Sequence, residues 1–204
     1  MSKKIIIIGA SGHGKVVADI AKKNGYTDIA FLDDNKEINF CGDYPVIGTC
    51  QDAPKYKKCD IVVAIGDCKV RQRIQTWLAE TDMHVVKLIH PGAIVADGVE
   101  IGAGTVVMAG AVINPGTNIG CGCIINTCSS VDHDCVIENF VHISIGARVA
   151  GTVKIGGRTW IGAGATIINN VDIIDDCMIG AGAVVIRDVV EHGTYIGVPA
   201  KQIH

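Results

Sequence analysis

The stretch that decides the fold runs from Ile94 to Val189 and divides into sixteen groups of six residues: IVADGV, EIGAGT, VVMAGA, VINPGT, NIGCGC, IINTCS, SVDHDC, VIENFV, HISIGA, RVAGTV, KIGGRT, WIGAGA, TIINNV, DIIDDC, MIGAGA and VVIRDV. The second position is Ile or Val in all sixteen groups, and the sixth is always Val, Thr, Ala, Ser or Cys. The fifth position is Gly in eight groups and Asn or Asp in four more. A fixed short period of this kind defines a repeat architecture.

Each group of six predicts one short strand followed by one turn. A β-branched second residue has a stiff χ1 angle and packs well on a pleated surface. Gly, Asn and Asp at the fifth position accept the left-handed backbone region at little cost. The second and sixth side chains are expected to point inward and to stack on their equivalents in neighbouring coils, because one unit cannot bury its apolar side alone.

This repeat resembles that of the hexapeptide-repeat acyltransferases. The resemblance implies a left-handed parallel β-helix with three groups of six in each triangular coil, so that sixteen groups give about five coils. The hand is implied by the resemblance alone, because crossovers between parallel strands generally follow a right-handed path.

Composition and charge narrow the classes of function. The 204 residues are 49% hydrophobic and only 4% aromatic, which suits a core of small aliphatic side chains better than one of large rings. Residues 92–204 hold 5 basic and 10 acidic side chains, and no basic block indicates a nucleic-acid partner. A surface so poor in charge predicts that copies of the chain cover it, so we expect an oligomer. No apolar run is long enough to predict a membrane span.

The nine cysteines are expected to be reduced in a cytoplasmic protein. The apolar run Ile5–Ile8 is too short for the core of a signal peptide. Cys123, Cys135 and Cys177 occupy the inward sixth position, where a thiol acts as a small hydrophobic side chain. A zinc site is the alternative, but Cys121 and Cys123 lack the usual ligand spacing, so we expect no metal.

Residues 1–90 predict a separate α/β domain with a small Rossmann-like parallel sheet, followed by the β-helix of residues 91–204. Apolar runs that alternate with helical patterns are typical of such a sheet. The predicted elements are a strand ending at Gly9, a helix Val16–Lys23, a strand Ala30–Leu32, an extended piece Pro45–Gly48, a strand Asp60–Gly66, a helix Val70–Glu80 and a strand His84–Ile89, with Pro91–Gly92 at the boundary.

Three candidate binding segments follow strands of this sheet: Gly9–Gly14, Asp33–Asp34 and Gly66–Asp67. Ligands bind at the carboxyl ends of parallel strands, and a Gly-rich turn before a helix offers N–H groups to phosphate. The spacing is G-x-x-G-x-G, which differs from the dinucleotide pattern, and His13 lies inside it. A tight strand-to-helix turn that binds nothing is therefore the alternative. A full NAD site is not expected, because about 90 residues make only half of the two-part fold.

The whole chain resembles the NeuD/PglD-type group of sialic acid O-acetyltransferases and bacillosamine-type N-acetyltransferases. The resemblance is carried by Gly-Ala-Ser-Gly-His-Gly at residues 9–14, Leu-Asp-Asp at 32–34 and Ala-Ile-Gly at 64–66, joined to the hexapeptide helix. It implies that residues 1–90 hold a nucleotide-linked sugar, with contacts from Ser11, Gly12, His13, Asp33, Asp34 and Gly66.

Four groups break the rule at the fifth position, with Cys128, Phe140, Thr152 and Arg158 in place of Gly, Asn or Asp. In the middle of this window lies the group Ser130–Cys135, whose third, fourth and fifth residues Asp132, His133 and Asp134 are predicted to face outward. Acyl transfer from a thioester needs a base for the nucleophile, and an imidazole titrates near neutrality. From the residues alone, an exposed loop histidine beside an ordinary corner aspartate is an equally good interpretation.

The resemblance implies catalytic roles for this segment. His133 would be the general base, Asp134 would tune it, and Asn126 would orient the same site. Asp134 stands where relatives often have Glu, which shortens the reach of the carboxylate. Cys135 adjoins this segment, but an inward thiol is inert, so we expect direct attack without a covalent intermediate.

The resemblance also implies that acetyl-CoA lies along the β-helix between two subunits of a homotrimer, in a slot lined by His142, Ala163 and Ala181. The two alanines are one coil apart and are expected to stack, leaving room for a pantetheine arm. Plain repeat filler is the alternative interpretation of these alanines. The segment Gly197–Lys201 is similar to the closing Gly-x-Pro-Ala-Lys element of the family.

The expected function is acetyl-CoA-dependent N-acetylation of the 4-amino group of a UDP-linked 4-amino-dideoxy sugar. A sialic acid O-acetyltransferase is the nearest alternative, since it would use the same base. A zinc carbonic anhydrase on the same helix needs three converging histidines, and only His133 and His142 lie in the central coils. A non-enzymatic scaffold is the remaining alternative.

Overall fold

The computed structural model describes residues 3–203. They form two compact units, one on each side of the boundary between Pro91 and Gly92. Within residues 3–203, no helix is long and apolar enough to cross a membrane.

The first unit is built on a three-stranded parallel sheet, in which the strand Lys4–Ile8 lies between the strands Asp28–Leu32 and Asp60–Val63. This is the predicted Rossmann-like arrangement. Its elements are β1 (Lys4–Ile8), α1 (Gly12–Lys23), β2 (Asp28–Leu32), β3 (Phe40–Cys41), β4 (Tyr44–Pro45), a 3-10 helix (Cys50–Tyr56), β5 (Asp60–Val63), α2 (Cys68–Glu80) and β6 (Leu88–Ile89).

Both faces of this sheet are covered. Ile6 and Ile8 pack in one apolar cluster with Leu78 of α2 and Ala53 of the 3-10 helix. Side chains alternate along a strand, so the other isoleucines of β1 point to the opposite face, and all four are 0% exposed. Complete burial of one such side chain stabilises the fold by about 1.5–3 kcal/mol.

Several elements of this unit differ from the prediction in their bounds. Helix α1 begins at Gly12 and not at Val16, so the Gly-rich segment contributes its first turn. The helix can start this early because Gly14 lacks a Cβ atom. A Cβ atom at this position would collide with the carbonyl oxygen of Gly9. The last predicted strand is reduced to Leu88–Ile89, and the 3-10 helix was not predicted.

The second unit is a parallel β-solenoid with the left-handed β-helix fold. Each strand pairs in parallel with the strand three places along, eighteen residues away, so that three parallel sheets result. The strands are β7 (Ile94–Val95), β8 (Glu100–Ile101), β9 (Val106–Val107), β10 (Val112–Ile113), β11 (Asn118–Ile119), β12 (Ile124–Ile125), β13 (Ser130–Val131), β14 (Val136–Ile137), β15 (His142–Ile143), β16 (Arg148–Val149), β17 (Lys154–Ile155), β18 (Trp160–Ile161), β19 (Thr166–Ile167), β20 (Asp172–Ile173), β21 (Met178–Ile179), β22 (Val184–Val185), β23 (Thr194–Ile196) and β24 (Lys201–Ile203).

The solenoid is longer than the five coils expected from the repeat. One of its sheets stacks six strands, from β7 to β22. The last coil continues beyond the sixteen groups: Val189, the final residue of the repeat, bridges to Ile173, and β23 pairs with β21. Strand β24 then folds back antiparallel on β23 at this end.

The backbone corners are regular even where the sequence is not. All fifth positions except Asp188 take a positive φ angle, including Cys128, Phe140, Thr152 and Arg158 at 55–61°. The irregular window therefore changes side chains and leaves the coil intact. A β-branched residue in this conformation is strained, and a strained residue of this kind costs about 1–3 kcal/mol. Thr152 stores such strain.

Three buried cysteines of the second unit belong to a ladder of hydrogen bonds inside the corners. Cys123, Cys135 and Cys177 are 0%, 0% and 3% exposed, which confirms their inward position. Each lies eighteen residues after a threonine whose hydroxyl accepts from the cysteine N–H, as Thr117 does from Cys135 at 3.2 Å. All nine cysteines are free thiols. Residues 3–203 contain no cluster of three or more metal-binding side chains.

Candidate active site

An imidazole–carboxylate pair occupies the corner that follows β13. Nδ1 of His133 lies 2.8 Å from Oδ2 of Asp134, and the two side chains are 56% and 66% exposed. A carboxylate only accepts hydrogen bonds, so Nδ1 carries the proton and Nε2 of the neutral ring carries the lone pair. The pair therefore presents a basic nitrogen to solvent.

Asp132 adds a second carboxylate to this corner. Its Oδ1 accepts from the side-chain amide of Asn114 at 2.6 Å and from the backbone N–H of His133 at 2.9 Å. The hydrogen bond to Asp134 raises the pKa of His133 above its ordinary value, and the charges of Asp132 and Asp134 raise it further. The hydrogen bond from Asn114 lowers the pKa of Asp132, which keeps that charge in place.

Gly151 lies one coil above His133 and makes room for its ring. A Cβ atom on Gly151 would lie 2.5 Å from Nε2 and 2.6 Å from Cε1 of His133. Gly151 has no positive φ angle, whereas the next residue, Thr152, takes the left-handed conformation with φ 60°. The backbone conformation therefore does not require glycine at position 151. The space that the imidazole of His133 occupies does require it.

Sequence reasoning placed Asp132 in this corner without giving it a role, and it missed Asn114 and Gly151. A signal was present, because residues eighteen apart stack in a three-group coil. Asn114 stands eighteen residues before Asp132, and Gly151 stands eighteen after His133.

A second cluster surrounds His142 in β15, which is 7% exposed. Nε2 of His142 lies 3.2 Å from the amide nitrogen of Asn126. The ring stacks on Trp160 with centroids 4.6 Å apart, and the indole N–H donates to Ser144 at 2.6 Å. Trp160 and Ser144 thus fix the plane in which His142 is held. Neither was predicted.

Ala163 and Ala181 stack at the corner that follows this sheet. The N–H of Gly182 donates to the carbonyl of Ala163, and the N–H of Gly164 donates to Ile145 one coil below, both at 2.9 Å. Both alanines are exposed, and Ile145 is 58% exposed. They make a narrow apolar strip of the kind that a thin acyl or pantetheine chain can cover.

The predicted catalytic and cofactor residues fall into two sets on one chain. Asn126 contacts His142 and shares a corner with Ala163 and Ala181, which follow strands of the same sheet. His133 and Asp134 lie at the next corner along the coil, after β13 of a different sheet. Within one chain Asn126 is therefore placed with His142, and its expected role in orienting the His133 site stays a prediction.

In the first unit, the acidic pair Asp33–Asp34 connects three segments at the carboxyl edge of the sheet. Oδ2 of Asp33 accepts from the N–H of Ala10 at 2.7 Å, and its Oδ1 accepts from the N–H of Asn35 at 2.9 Å. Oδ1 of Asp34 accepts from the N–H of Cys50 at 2.9 Å. Asp33 thus shapes the Gly-rich turn, and Asp34 is tied to the 3-10 helix.

The glycines of this edge divide into two kinds. Gly9 has φ 106°, and a Cβ atom on it would lie 2.7 Å from the carbonyl oxygen of Ala64, so the fold requires glycine there. Gly12 and Gly66 have no positive φ angle, and a Cβ atom on either would meet nothing within 4 Å. Since the fold does not require them, these two glycines leave the edge open to a ligand.

The start of α1 is prepared for an anion in a way that the start of α2 is not. Ser11 is the N-cap of α1 but makes no side-chain capping bond, and the first turn has no acidic residue. The side chain of Asp67, by contrast, caps α2 by accepting from the N–H of Val70 at 2.8 Å. Free N–H groups and the helix dipole favour negative charge at such an uncapped end.

His13 lies in the first turn of α1 as a neutral ring. Burial lowers its pKa to about 4, and the charge of Arg71 contributes to this shift. Within the described residues its Nε2 has no hydrogen-bond partner. The buried Arg71 donates to the carbonyls of Ile65 and Gly66, both at 2.8 Å, and so fixes the turn after β5. Sequence reasoning missed Arg71.

Comparison with known proteins agrees with both units. The family model described as the PglD N-terminal domain matches residues 4–78. The acetyltransferase domain of PglB from Neisseria gonorrhoeae FA1090, solved with acetyl coenzyme A, is 39% identical with a TM-score of 0.96, and 100% of each chain is covered.

Two further solved structures cover nearly the full length. PerB from Caulobacter crescentus, in complex with CoA and GDP-perosamine, is 37% identical with a TM-score of 0.94, covering 98% of this chain and 97% of that one. WeeI from Acinetobacter baumannii AYE is 28% identical with a TM-score of 0.92, covering 99% of this chain and 100% of that one. The chain therefore belongs to the NeuD/PglD-type family of hexapeptide-repeat sugar acetyltransferases.

Proposed function

We propose that the protein transfers the acetyl group of acetyl-CoA to the 4-amino group of a UDP-linked 4-amino-dideoxy sugar. The observation that carries the proposal is the His133–Asp134 pair, with Nδ1 held 2.8 Å from the Asp134 carboxylate and Nε2 given space by Gly151. A base of this kind suits an amine nucleophile, which must lose a proton as it is acylated.

The reaction would proceed by direct attack. The sugar amine forms a C–N bond to the thioester carbonyl, and the C–S bond breaks to release the thiolate of CoA. Nε2 of His133 takes the proton from the amine and then gives it to the thiolate. Asp134 stabilises the imidazolium that forms between these two steps.

The second part of the proposal is a homotrimer. His133 and Asp134 lie at one corner of the coil, whereas Asn126, His142 and the alanine strip lie at another. In a ring of subunits, the His133 corner of one subunit can face the His142 corner of its neighbour. Acetyl-CoA would then lie between them, against His142, Ala163 and Ala181.

The nucleotide end of the acceptor sugar would occupy the first unit. The uncapped start of α1, with Ser11, Gly12 and His13, suits the diphosphate. Gly12 and Gly66 leave space for it, and Asp33 shapes the turn. Neutral His13 offers a hydrogen bond at this end without adding charge.

A GDP-linked amino sugar is the second candidate, because PerB, at 37% identity, was solved with GDP-perosamine. The two candidates share the acyl transfer and differ only in the nucleotide.

The test is acetyl-CoA turnover with UDP-linked 4-amino sugars, GDP-perosamine and free sialic acid as acceptors. We expect turnover with a UDP-linked amine, and a loss of about 10²–10⁴-fold in the folded His133→Ala variant. Turnover with GDP-perosamine alone would assign the second candidate. Turnover with sialic acid alone, or full activity in His133→Ala, contradicts the proposal.

A further inference from the structure

A threonine with a strained backbone lies one coil above the His133–Asp134 pair. Thr152 is exposed and has φ 60°, and it is the only β-branched residue within residues 3–203 that has a positive φ angle. We propose that its hydroxyl binds the amino group of the acceptor sugar and orients it for attack on the thioester. This inference rests on the proposed function and adds a substrate-contacting residue to the His133 corner.

The coil does not need a threonine at this corner. The other left-handed residues that stack on the same corner, at intervals of eighteen, are Gly98, Gly116, Asp134 and Asn170. Gly, Asn and Asp accept this conformation at little cost, whereas a β-branched side chain does not. Residues held in costly backbone conformations cluster at functional sites. The strain of Thr152 therefore indicates that its side chain has a function there.

Thr152 lies beside the nitrogen that acts as the base. A Cβ atom on the preceding residue, Gly151, would lie 2.5 Å from Nε2 of His133, so the imidazole ring extends to this coil. The backbone N–H of Thr152 donates to the carbonyl of His133 at 2.9 Å, which ties the two coils together. Consecutive Cα atoms are about 3.8 Å apart, so an amine that is hydrogen-bonded to Nε2 comes within reach of the Thr152 side chain.

The hydroxyl of Thr152 is available to a ligand. The buried threonines Thr105, Thr117 and Thr159 each donate their hydroxyl to a backbone carbonyl. The Thr152 side chain is exposed, and its hydroxyl makes no hydrogen bond with any residue in the part of the chain that the structure describes. Such a hydroxyl can accept a hydrogen bond from a donor on the substrate.

An amine needs two hydrogen-bond acceptors to hold it in one orientation. The neutral amino group has two N–H donors and one lone pair, and the lone pair is the nucleophile. One N–H points to Nε2 of His133, which takes that proton as the C–N bond forms and the C–S bond of the thioester breaks. The second N–H donates to the Thr152 hydroxyl and stays on the nitrogen in the amide product. The lone pair is then directed at the thioester carbonyl.

This contact also gives a preference for the kind of acceptor. A sugar hydroxyl has one proton, which Nε2 would take, and it has no second donor for Thr152. A site built to bind a substrate N–H discriminates against an analogue that lacks it. The Thr152 hydroxyl therefore favours an amine acceptor over an alcohol.

Kinetics with the nucleotide-linked 4-amino sugar that the wild-type enzyme acetylates test the contact. Thr152→Val keeps the β-branched shape and removes the hydroxyl. We expect kcat/KM for the sugar to fall by about tenfold, the effect of one lost hydrogen bond, with the KM of acetyl-CoA unchanged. Thr152→Ser retains a hydroxyl and should recover most of the wild-type rate. A structural role alone would not separate valine from serine in this way.

Thr152→Gly separates the strain from the function. Glycine accepts φ 60° freely, so this variant should unfold at a higher denaturant concentration than wild type and still lose sugar turnover as the valine variant does. Asn170→Gly, at the same corner one coil above, is the matched control. It should keep wild-type turnover and change stability less, because asparagine tolerates the left-handed conformation. A lower unfolding midpoint for Thr152→Gly would remove the strain on which the inference rests.

The possible failures are distinguishable. If the wild-type enzyme acetylates the sugar and both Thr152→Val and Thr152→Gly keep its full kcat/KM, the inference is overturned and the proposed function stands. A serine variant as impaired as the valine variant also overturns it, because the hydroxyl would then not be the active group. If the wild-type enzyme acetylates neither a UDP-linked 4-amino sugar nor GDP-perosamine, the proposed function fails and the inference fails with it.

Discussion

The residues that shape His133 come from neighbouring coils as well as from its own. Asn114 holds Asp132 from one coil below, and Gly151 leaves the ring its space one coil above. In a solenoid, the contacts of a side chain along the axis are eighteen residues away in sequence. The basicity of His133 is thus a property of three coils, and separate substitutions can probe each of them.

Asp134→Asn should move the pH profile of the enzyme. The hydrogen bond to Asp134 is the largest cause of the raised pKa of His133, and an amide lacks the charge that stabilises the imidazolium. The pKa of His133 then falls, so the base is free of its proton at lower pH. We expect the acid limb of kcat/KM to shift to lower pH.

The matched control for this change is Asp97→Asn, an exposed aspartate at the fourth position of its group, two coils below His133. Its pH profile should be that of the wild type. An acid limb that stays in place in Asp134→Asn would show that this carboxylate does not tune the base.

Gly151→Ala should lower turnover by about 10²-fold, the usual cost of misplacing a catalytic group by about 1 Å. The added Cβ atom would lie 2.5 Å from Nε2 of His133 and must push the ring aside. Gly157→Ala is the matched control, because Gly157 is the fourth residue of the next group and also precedes a left-handed residue. A Cβ atom added to it would lie 3.3 Å from its nearest neighbour, the carbonyl oxygen of Asn139. The control should retain nearly full turnover.

The same pair of residues can be tested without any activity. Overpacking by the alanine at 151 should cost about 1–3 kcal/mol of unfolding free energy in the wild-type background. In the His133→Ala background the imidazole is absent, and the cost should disappear. An equal cost in both backgrounds would mean that Gly151 serves the backbone and not the base.

At the scale of elements, the strict repeat made the solenoid predictable and hid its details. Ile or Val at the second position of every group predicted the strands, and the residues at the fifth position predicted the corners. The sixth coil was missed because β23, which completes it, lies beyond the last group of six and carries no repeat signal. The early start of α1 was missed because glycine is read as a turn residue, whereas Gly14 serves here as a contact point with Gly9.

The candidate site was also only partly predictable from the sequence. The outward position of His133 follows from the two-residue strand before it, and its bond to Asp134 is local. The separation of Asn126 from His133 depends on which of the three corners each one occupies, and the spacing of single residues did not make this evident. The buried Arg71 has no sequence pattern, since it follows the shape of the turn after β5.

Thr117→Val should destabilise the solenoid locally by about 1–3 kcal/mol, the cost of leaving a buried polar group unsatisfied. The Thr117 hydroxyl donates to the carbonyl of Asp132 at 2.6 Å and accepts from the N–H of Cys135 at 3.2 Å. Valine has the same shape and can do neither. Denaturant unfolding at a fixed protein concentration measures the loss.

Thr166→Val, in the less buried first position of β19, is the control and should change stability little. Equal stability of the two variants would show that the ladder of threonines contributes nothing beyond packing.

At the scale of the whole molecule, the charge-poor second unit predicts an oligomer, and the resemblance to the family makes a homotrimer the expected state. Two exposed apolar side chains lie near His142. Met178 is on the sheet that carries His142 and is 38% exposed, and Ile145 is at the corner that follows this sheet and is 58% exposed. We expect light scattering to give three times the chain mass of 21.4 kDa. A mass equal to one chain at working concentration contradicts both the trimer and a site shared between subunits.

The two units should also separate the two substrates. The uncapped α1, the open glycines and the acidic pair all lie in residues 3–91, and the alanine strip with His142 lies in residues 92–203. Asp33 acts through the turn that it braces, because both its oxygens accept backbone hydrogen bonds, and Asp34 accepts from the N–H of Cys50. Neither lies in the unit that carries the acyl-transfer residues.

Replacing Asp33 and Asp34 together with alanine should therefore raise the sugar KM and leave acetyl-CoA affinity nearly unchanged. A lost hydrogen bond to a charged group is worth about 1.5–3 kcal/mol, so we expect a rise of about tenfold or more. Asp19→Ala, which breaks only the exposed ion pair with Lys23 on α1, is the control. Calorimetric titration with the nucleotide-linked sugar and, separately, with acetyl-CoA measures the two affinities. An unchanged sugar KM with weakened acetyl-CoA binding would reverse the assignment and make the first unit the cofactor module.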